Sequence, residues 1–436
     1  MASNQLLRQT IYRFILLCLF LSFWINAPAV IIYVVNSESR TLSRINTDTN
    51  QAQNAFATLG IIPNKVIVTE DFLWSVNSGD NAVQKINLQT GSTIANILIE
   101  AGSNPWDACF ENGFLYVTGL FTNKVYKVNT HTNAVESSLT VGISPEALCA
   151  FNGKLYVTNT GGYNNNYANS SVSVIDLSTF EVTNTIPVSA NPQYIVEQGG
   201  LLHVSCTGNW INTFGKVCII NPVTETVIQT LNIGGSLGGI WVKNSQQALV
   251  GDGNGLNLYQ YNPESFTILN DPSNPLSPGG SVVWGNADFI AVLSPNWGSN
   301  GKVRLLHPDF TLWKEYAVGL APTDLKFLPS DTNNDDETNF AVPGVTVYPN
   351  PVYTGQSIIF ELIQTNPYGK RGYNNNSHFN LSIYNSKGQL QLQQTVLSDK
   401  FAVSSLNFGA KQPSGIYLYR IETEQGAVTG KFIILH

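Results

Sequence analysis

A unit of four short β-prone runs recurs along most of this chain, and few folds can accommodate such a repeat. Its clearest copy is Ser144 to Val188, SPEALCAFNGKLYVTNTGGYNNNYANSSVSVIDLSTFEVTNTIPV. Ala147 to Phe151 follows Pro145 and ends at Asn152-Gly153, a dipeptide that tolerates positive φ. Lys154 to Thr158, Ser171 to Leu177 and Val182 to Val188 are the other three runs. The second run gives the register. Tyr33, Trp74, Tyr116, Tyr156 and His203 fill its aromatic slot, at steps of 41, 42, 40 and 47 residues. Looser copies at Ala248 to Val250 and Ile290 to Val292 make seven units.

A four-stranded sheet cannot bury both faces alone, so units of this length stack around an axis as propeller blades. The series begins with a second strand at Ile31 and ends with a first strand, Thr323 to Leu328 after Pro322. Pairing of these two within one blade would close the ring without an open sheet edge. The segments LYVTN, SVSVIDLSTFEV and NPQYIV resemble the YVTN-type repeats of seven-bladed β-propellers in exported bacterial proteins. The resemblance is strongest over residues 105–196 and diluted over 31–328; unit six departs most, at Gly251-Asp252-Gly253-Asn254-Gly255. It implies a fold and a binding platform, not a shared chemistry.

After Leu328 the composition changes. Residues 330–343 are polar and acidic, as a solvated linker is. Asp331, Asn333 and Asp335 have calcium-loop spacing, but Asp336 stands where such a loop needs glycine. From residue 344 to 436, seven alternating runs predict a small immunoglobulin-like β-sandwich. Four motifs occur there in order: Val347-Tyr348-Pro349-Asn350-Pro351, Leu381 to Gly388, Ser414 to Tyr419, and Gly430 to Ile433. Together they resemble the C-terminal sorting domain of type IX secretion substrates. That resemblance implies a Bacteroidetes-like cell, a translocon as partner, and cargo that crosses the outer membrane. The expected fold class is therefore all-β, a propeller over residues 30–329 and a sandwich after the linker.

Residues 1–29 read as a secretory signal, with Arg8 and Arg13 before a short apolar run and Ala27-Pro28-Ala29 at its end. The expected destination is the medium or the outer-membrane surface, reached through the periplasm. The formal charge of −7 becomes −9 without that leader, which removes two arginines and no acid. Nothing supplies the basic stripe that nucleic acid requires. A monomer is expected. Cys109 and Cys149 hold equivalent repeat positions and read as small buried hydrophobes, whereas Cys206 and Cys218 lie on two arms of one hairpin and are candidates for a disulfide.

No catalytic or metal-binding motif appears, and the five histidines show no ligand spacing. The topology nevertheless indicates one face for a site. The starts of the first strands carry Asn64, Trp106-Asp107, Glu146, Gln193-Tyr194 and Thr323-Asp324. Enlarged loops at 160–170, 207–215 and 294–301 bring Tyr163, Tyr167, Trp210, Phe214 and Trp297 to the same face. Aromatics among Asn and Gly suit stacking beside neutral hydrogen-bonding groups, as a sugar or peptide ligand needs. The structural alternative is that these aromatics merely fold over the blade tops. Two function classes remain: a non-catalytic platform for a glycan, peptide or protein, or a lactonase-like, metal-assisted hydrolase. For the second, Asp107, Glu146 and Asp324 are the acids available, and calcium at the channel mouth the cofactor left open. Glu146 follows its proline by one residue and the other two by two, so strand alternation turns it away from them.

Overall fold

Each repeat forms one antiparallel sheet of four strands, seven such sheets in all among the described residues of the repeat region. The computed structural model describes residues 30–296 and 298–328. It further describes 344–435, apart from 349–351, 354–357, 364–378, 386–388, 397–399, 404–412 and 424–425. The expected leader 1–29, the expected linker 330–343 and Trp297 lie outside the described residues. The chain divides into two compact units, one through Leu328 and one from Pro329.

The first unit is a seven-bladed β-propeller. Blade 1 joins the two ends of the unit: Pro322–Phe327 pairs antiparallel with Ile31–Asn36, setting Leu325 opposite Val34 and Phe327 opposite Ile32. The first strands of blades 2 to 5 are Pro63–Val68, Pro105–Glu111, Pro145–Phe151 and Pro192–Gln198. Blades 6 and 7 begin with Leu237–Asn244 and Val282–Gly285. Each first strand touches that of the next blade, and the seventh touches the first, so the ring is closed.

The repeat motif follows from this stacking. Leu155 and Val157 of LYVTN pack against blade 3, while Tyr156 between them packs against blade 5. A second strand thus buries both faces, as its nearly continuous apolar run requires. Seven hydrophobic clusters among the described residues of the unit each join two consecutive blades. Buried side chains of this kind contribute about 1.5–3 kcal/mol each. On the face opposite the candidate site, an Asn or Asp ends most third strands. Asn87, Asn129, Asp176 and Asn221 each accept backbone N–H bonds from the next two or three residues, which keeps those turns tight.

The second unit has a three-stranded antiparallel sheet, Gly344–Tyr348, Ile358–Ile363 and Lys400–Val403. Its other sheet has five strands, ordered Val352–Tyr353, Gly426–Leu435, Gly415–Thr423, Phe379–Asn385 and Leu390–Val396. Phe360 from one sheet meets Tyr419 from the other edge-on, with centroids 5.3 Å apart, so the sheets form a sandwich. Among the described residues eight strands are present where the sequence pattern suggests seven. The addition, Val352–Tyr353, is too short for a periodicity signal and pairs parallel with Ile434 and Leu435.

Candidate functional site: the channel mouth and its aromatic rim

Each first strand that begins with proline carries one extra residue immediately afterwards. Pro145 pairs with Asn159, yet the next partners are Leu148 and Val157, so Glu146 and Ala147 together oppose Thr158. The same bulge occurs after Pro63, Pro105, Pro192 and Pro322. A bulge suspends side-chain alternation. That corrects the expectation for Glu146: it joins Asp107 and Asp324 around one ammonium group, that of Lys65.

Lys65 starts on blade 2 and spans the channel axis. Its Nζ lies 4.4 Å from the ring centroid of Tyr194 on blade 5 and 3.9 Å from the Asp324 carboxylate on blade 1. Asp324 also accepts the Val66 N–H at 3.1 Å. Burial opposes the charge on Lys65, but Asp324, Tyr194, Asp107 and Glu146 outweigh it and hold the pKa above its ordinary value. Burial pushes Glu146 up to about 8, with Lys65 pulling it back and Asp107 adding to the rise. Burial likewise pushes Asp107 up to about 6 against the pull of Lys65. Asp107 Oδ1 accepts the Ala108 N–H at 2.7 Å. Glu146 is only 7% exposed, and its Oε2 has no hydrogen-bond partner. Farther along blade 1, Lys326 stacks over Trp284 at 3.7 Å.

Gln193 and Trp106 are partly exposed beside this group, and Gln193 Oε1 accepts the Thr207 hydroxyl at 3.0 Å. Sequence reasoning missed Lys65 and left the Tyr194 ring without a role. A signal for both exists: Lys65, Asp107, Tyr194 and Asp324 each stand two residues after the proline that opens their strand. Among the described residues, no three His, Cys, Asp or Glu side chains gather as a metal would need. The three acids surround an ammonium.

Loops 160–170 and 207–215 are braced to each other. Asn209 Nδ2 donates to Asn166 Oδ1 at 3.1 Å, and the Trp210 side chain offsets part of the rise that burial gives the Tyr167 hydroxyl pKa. Tyr163 meets Tyr167 edge-on, centroids 6.2 Å apart. Asn209 Oδ1 accepts the N–H groups of Ile211, Asn212 and Thr213, which folds the loop around one side chain. Glycine is required at Gly208: φ is +89°, and a Cβ there would lie 2.0 Å from the Thr213 carbonyl. The Trp210 indole continues the brace to blade 6, leaving 3.2 Å for a Cβ on Gly253. Tyr163 is 73% and Trp210 49% exposed. Phe121, Phe214 and Leu256, from loops on the same face, are exposed as well. A cavity of about 450 Å³ opens beside Phe214 and Lys216. Loop 160–170 starts at Thr160, whose N–H and hydroxyl both donate to the Ser144 carbonyl two residues before Glu146, so rim and mouth adjoin.

Cys206 and Cys218 are unbonded, with sulfurs 3.9 Å apart. In the register, Cys206 faces Lys216 and Cys218 faces Val204, which makes the cysteines diagonal neighbours.

Comparison with known proteins supplies a family for one part of the chain. Residues 346–435 match the secretion system C-terminal sorting domain. The match implies recognition by the type IX secretion machinery and export to the cell surface or the medium. Among solved structures, the dihydro-heme d1 dehydrogenase NirN in complex with DHE is similar at 10% identity and a TM-score of 0.50. That alignment covers 68% of this chain and 75% of the other. Hydrazine synthase of Kuenenia stuttgartiensis aligns at 15% identity and a TM-score of 0.49, covering 60% of this chain and 88% of the other. BamB from Moraxella catarrhalis aligns at 13% identity and a TM-score of 0.41, covering 66% of this chain and 79% of the other. At such identities the likeness concerns the fold alone. No curated protein matches.

Proposed function

We propose that the propeller is a non-catalytic binding platform, carried out of the cell by its sorting domain, that captures an extracellular glycan, peptide or protein. Its recognition surface is the face bearing Tyr163, Tyr167 and Trp210 above the channel mouth. The route runs through the periplasm behind the leader 1–29, and the translocon reads the C-terminal unit. The observation that carries this reading is the bracing of exposed aromatics. Large apolar side chains in solvent reduce solubility unless a partner covers them. Side chains that only capped the blade tops would be buried there. Tyr163 and Trp210 instead stand in solvent on loops fixed by hydrogen bonds, and Trp210 keeps φ at +64°. Strain of this sort persists where the surroundings enforce it, and binding sites are a common setting. A preordered rim also loses little entropy when a ligand docks.

Glycan and peptide arrays probed with the exported protein test the reading. Trp210→Ala combined with Tyr163→Ala is expected to weaken capture at least about tenfold while melting stays within a few degrees. Full-strength capture by the double variant would move the site elsewhere.

A further inference from the structure

We propose that the channel mouth receives one protonated amine, presented as a lysine side chain of a peptide or protein lying across the aromatic rim. The proposal rests on the reading of that face as the recognition surface. Lys65 already shows how this mouth holds an alkylammonium, between the Asp324 carboxylate at 3.9 Å and the Tyr194 ring at 4.4 Å. Three carboxyl groups nevertheless face that ammonium, and the second buried ammonium nearby, Lys326, bears on Asp107 and Asp324. Asp324 is occupied by Lys65 and the Val66 N–H, and Asp107 by the Ala108 N–H. Glu146 Oε2 is left buried and unpartnered, with Tyr167 of the rim nearby. Buried polar atoms without partners are rare and costly, so this oxygen marks a place for a donor from outside.

The shape of the mouth selects the donor. Lys65 crosses it from blade 2 to blade 5, which leaves less room beside Glu146 for a pyranose ring than for an alkyl chain tipped with ammonium. Aromatic walls attract such a cation and cover its methylene stem.

The charged groups facing Glu146 set the pH dependence: Lys65 on blade 2, Asp107 on blade 3, and Tyr194, Tyr167 and Asp324 around it, with Lys326 deeper. Burial keeps Glu146 protonated up to about pH 8. An arriving ammonium favours the carboxylate, so a proton leaves as the ligand binds. Affinity therefore rises with pH, by up to about tenfold per unit, until Glu146 ionises unaided. A lysine ligand stays charged throughout, its own pKa being about 10.4.

Calorimetry of the exported protein with an end-blocked Ala-Lys-Ala peptide, its Nε-acetylated twin and a chitosan tetramer provides the test. The lysine peptide should bind, at least about tenfold tighter than the acetylated one, and about tenfold tighter near pH 8 than near pH 6.5. Glu146→Gln should remove both differences; Asp107→Asn, expected to weaken lysine binding by several-fold, serves if that variant does not fold. Absence of peptide binding, equal binding of the two peptides, an unchanged affinity in Glu146→Gln, or binding of chitosan alone would each overturn the proposal. If both peptides bind alike and Trp210→Ala abolishes both, the amine falls and the rim stands. If neither Glu146→Gln nor Trp210→Ala alters binding, both readings fall.

Discussion

Ile62 adopts φ of +52°, a left-handed conformation that a β-branched side chain resists. Asn104 and Asn191 occupy the same place, just before the proline of blades 3 and 5, with φ of +48° and +60°. Asn tolerates that region, so Ile62→Asn is expected to stabilise the propeller by about 1 kcal/mol. A variant that melts below the parent would show that Ile62 is held there by packing. Glu146 makes a prediction of opposite origin. Its folded pKa of about 8 lies above the unfolded carboxylate value, so the folded state binds the extra proton. Its stabilising contribution is complete below about pH 4 and is lost as pH rises through 8. Glu146→Gln should therefore melt higher than the parent near pH 8, by at least about 1 kcal/mol in stability, with no gain near pH 4. A gain of equal size at both would place the effect in packing. Cys206 and Cys218 give a third expectation: Cys109, Cys149, Cys206 and Cys218 should all react with a thiol label after denaturation without reductant. A protein that labels at two would carry the bond. These residue-level features were the hardest to read from sequence. Alternation turns Glu146 away from its neighbours, and only the bulge after Pro145 returns it. Lys65 was overlooked because one cation on a β-strand carries no motif.

The strands themselves were legible because their burial leaves a periodic mark. Tyr33, Trp74, Tyr116 and Tyr156 are all buried between blades, and even His203 keeps the slot by placing Nδ1 2.6 Å from the Tyr261 hydroxyl. Burial lowers that imidazole to about 4, which makes it a packing residue at neutral pH. Loops leave no such mark. The lengths of 160–170 and 207–215 were visible, but the bond from Asn209 to Asn166 joins residues 43 apart, which no local pattern predicts. Gly208 is the point at which this arrangement breaks most simply. Gly208→Ala forces a methyl against the Thr213 carbonyl at a positive φ, so loop 207–215 must rearrange. The expected result is faster amide exchange over 207–215 and 163–167 with the blade strands unaffected. Unchanged exchange at 163–167 would mean that the two loops are independent.

Across the whole molecule, closure and export belong to different units. Leu325 and Phe327 enter the cluster between blades 7 and 1, so their removal costs about 5 kcal/mol and leaves a sheet edge open. A chain ending at Ala321 should melt roughly 10 °C or more below one ending at Leu328. Deletion of 344–436 should leave the propeller folded but undelivered, because the sorting match lies wholly in that segment. We assign recognition to the braced aromatic face. Hydrogen–deuterium exchange of the exported protein, with and without a ligand captured from the arrays, tests it most directly. Protection is expected in loops 160–170 and 207–215 and at the first-strand starts around Asp107 and Glu146, with the Asn112-Gly113 and Asn152-Gly153 turns unchanged. Protection at those turns, with the aromatic loops unaffected, would contradict it.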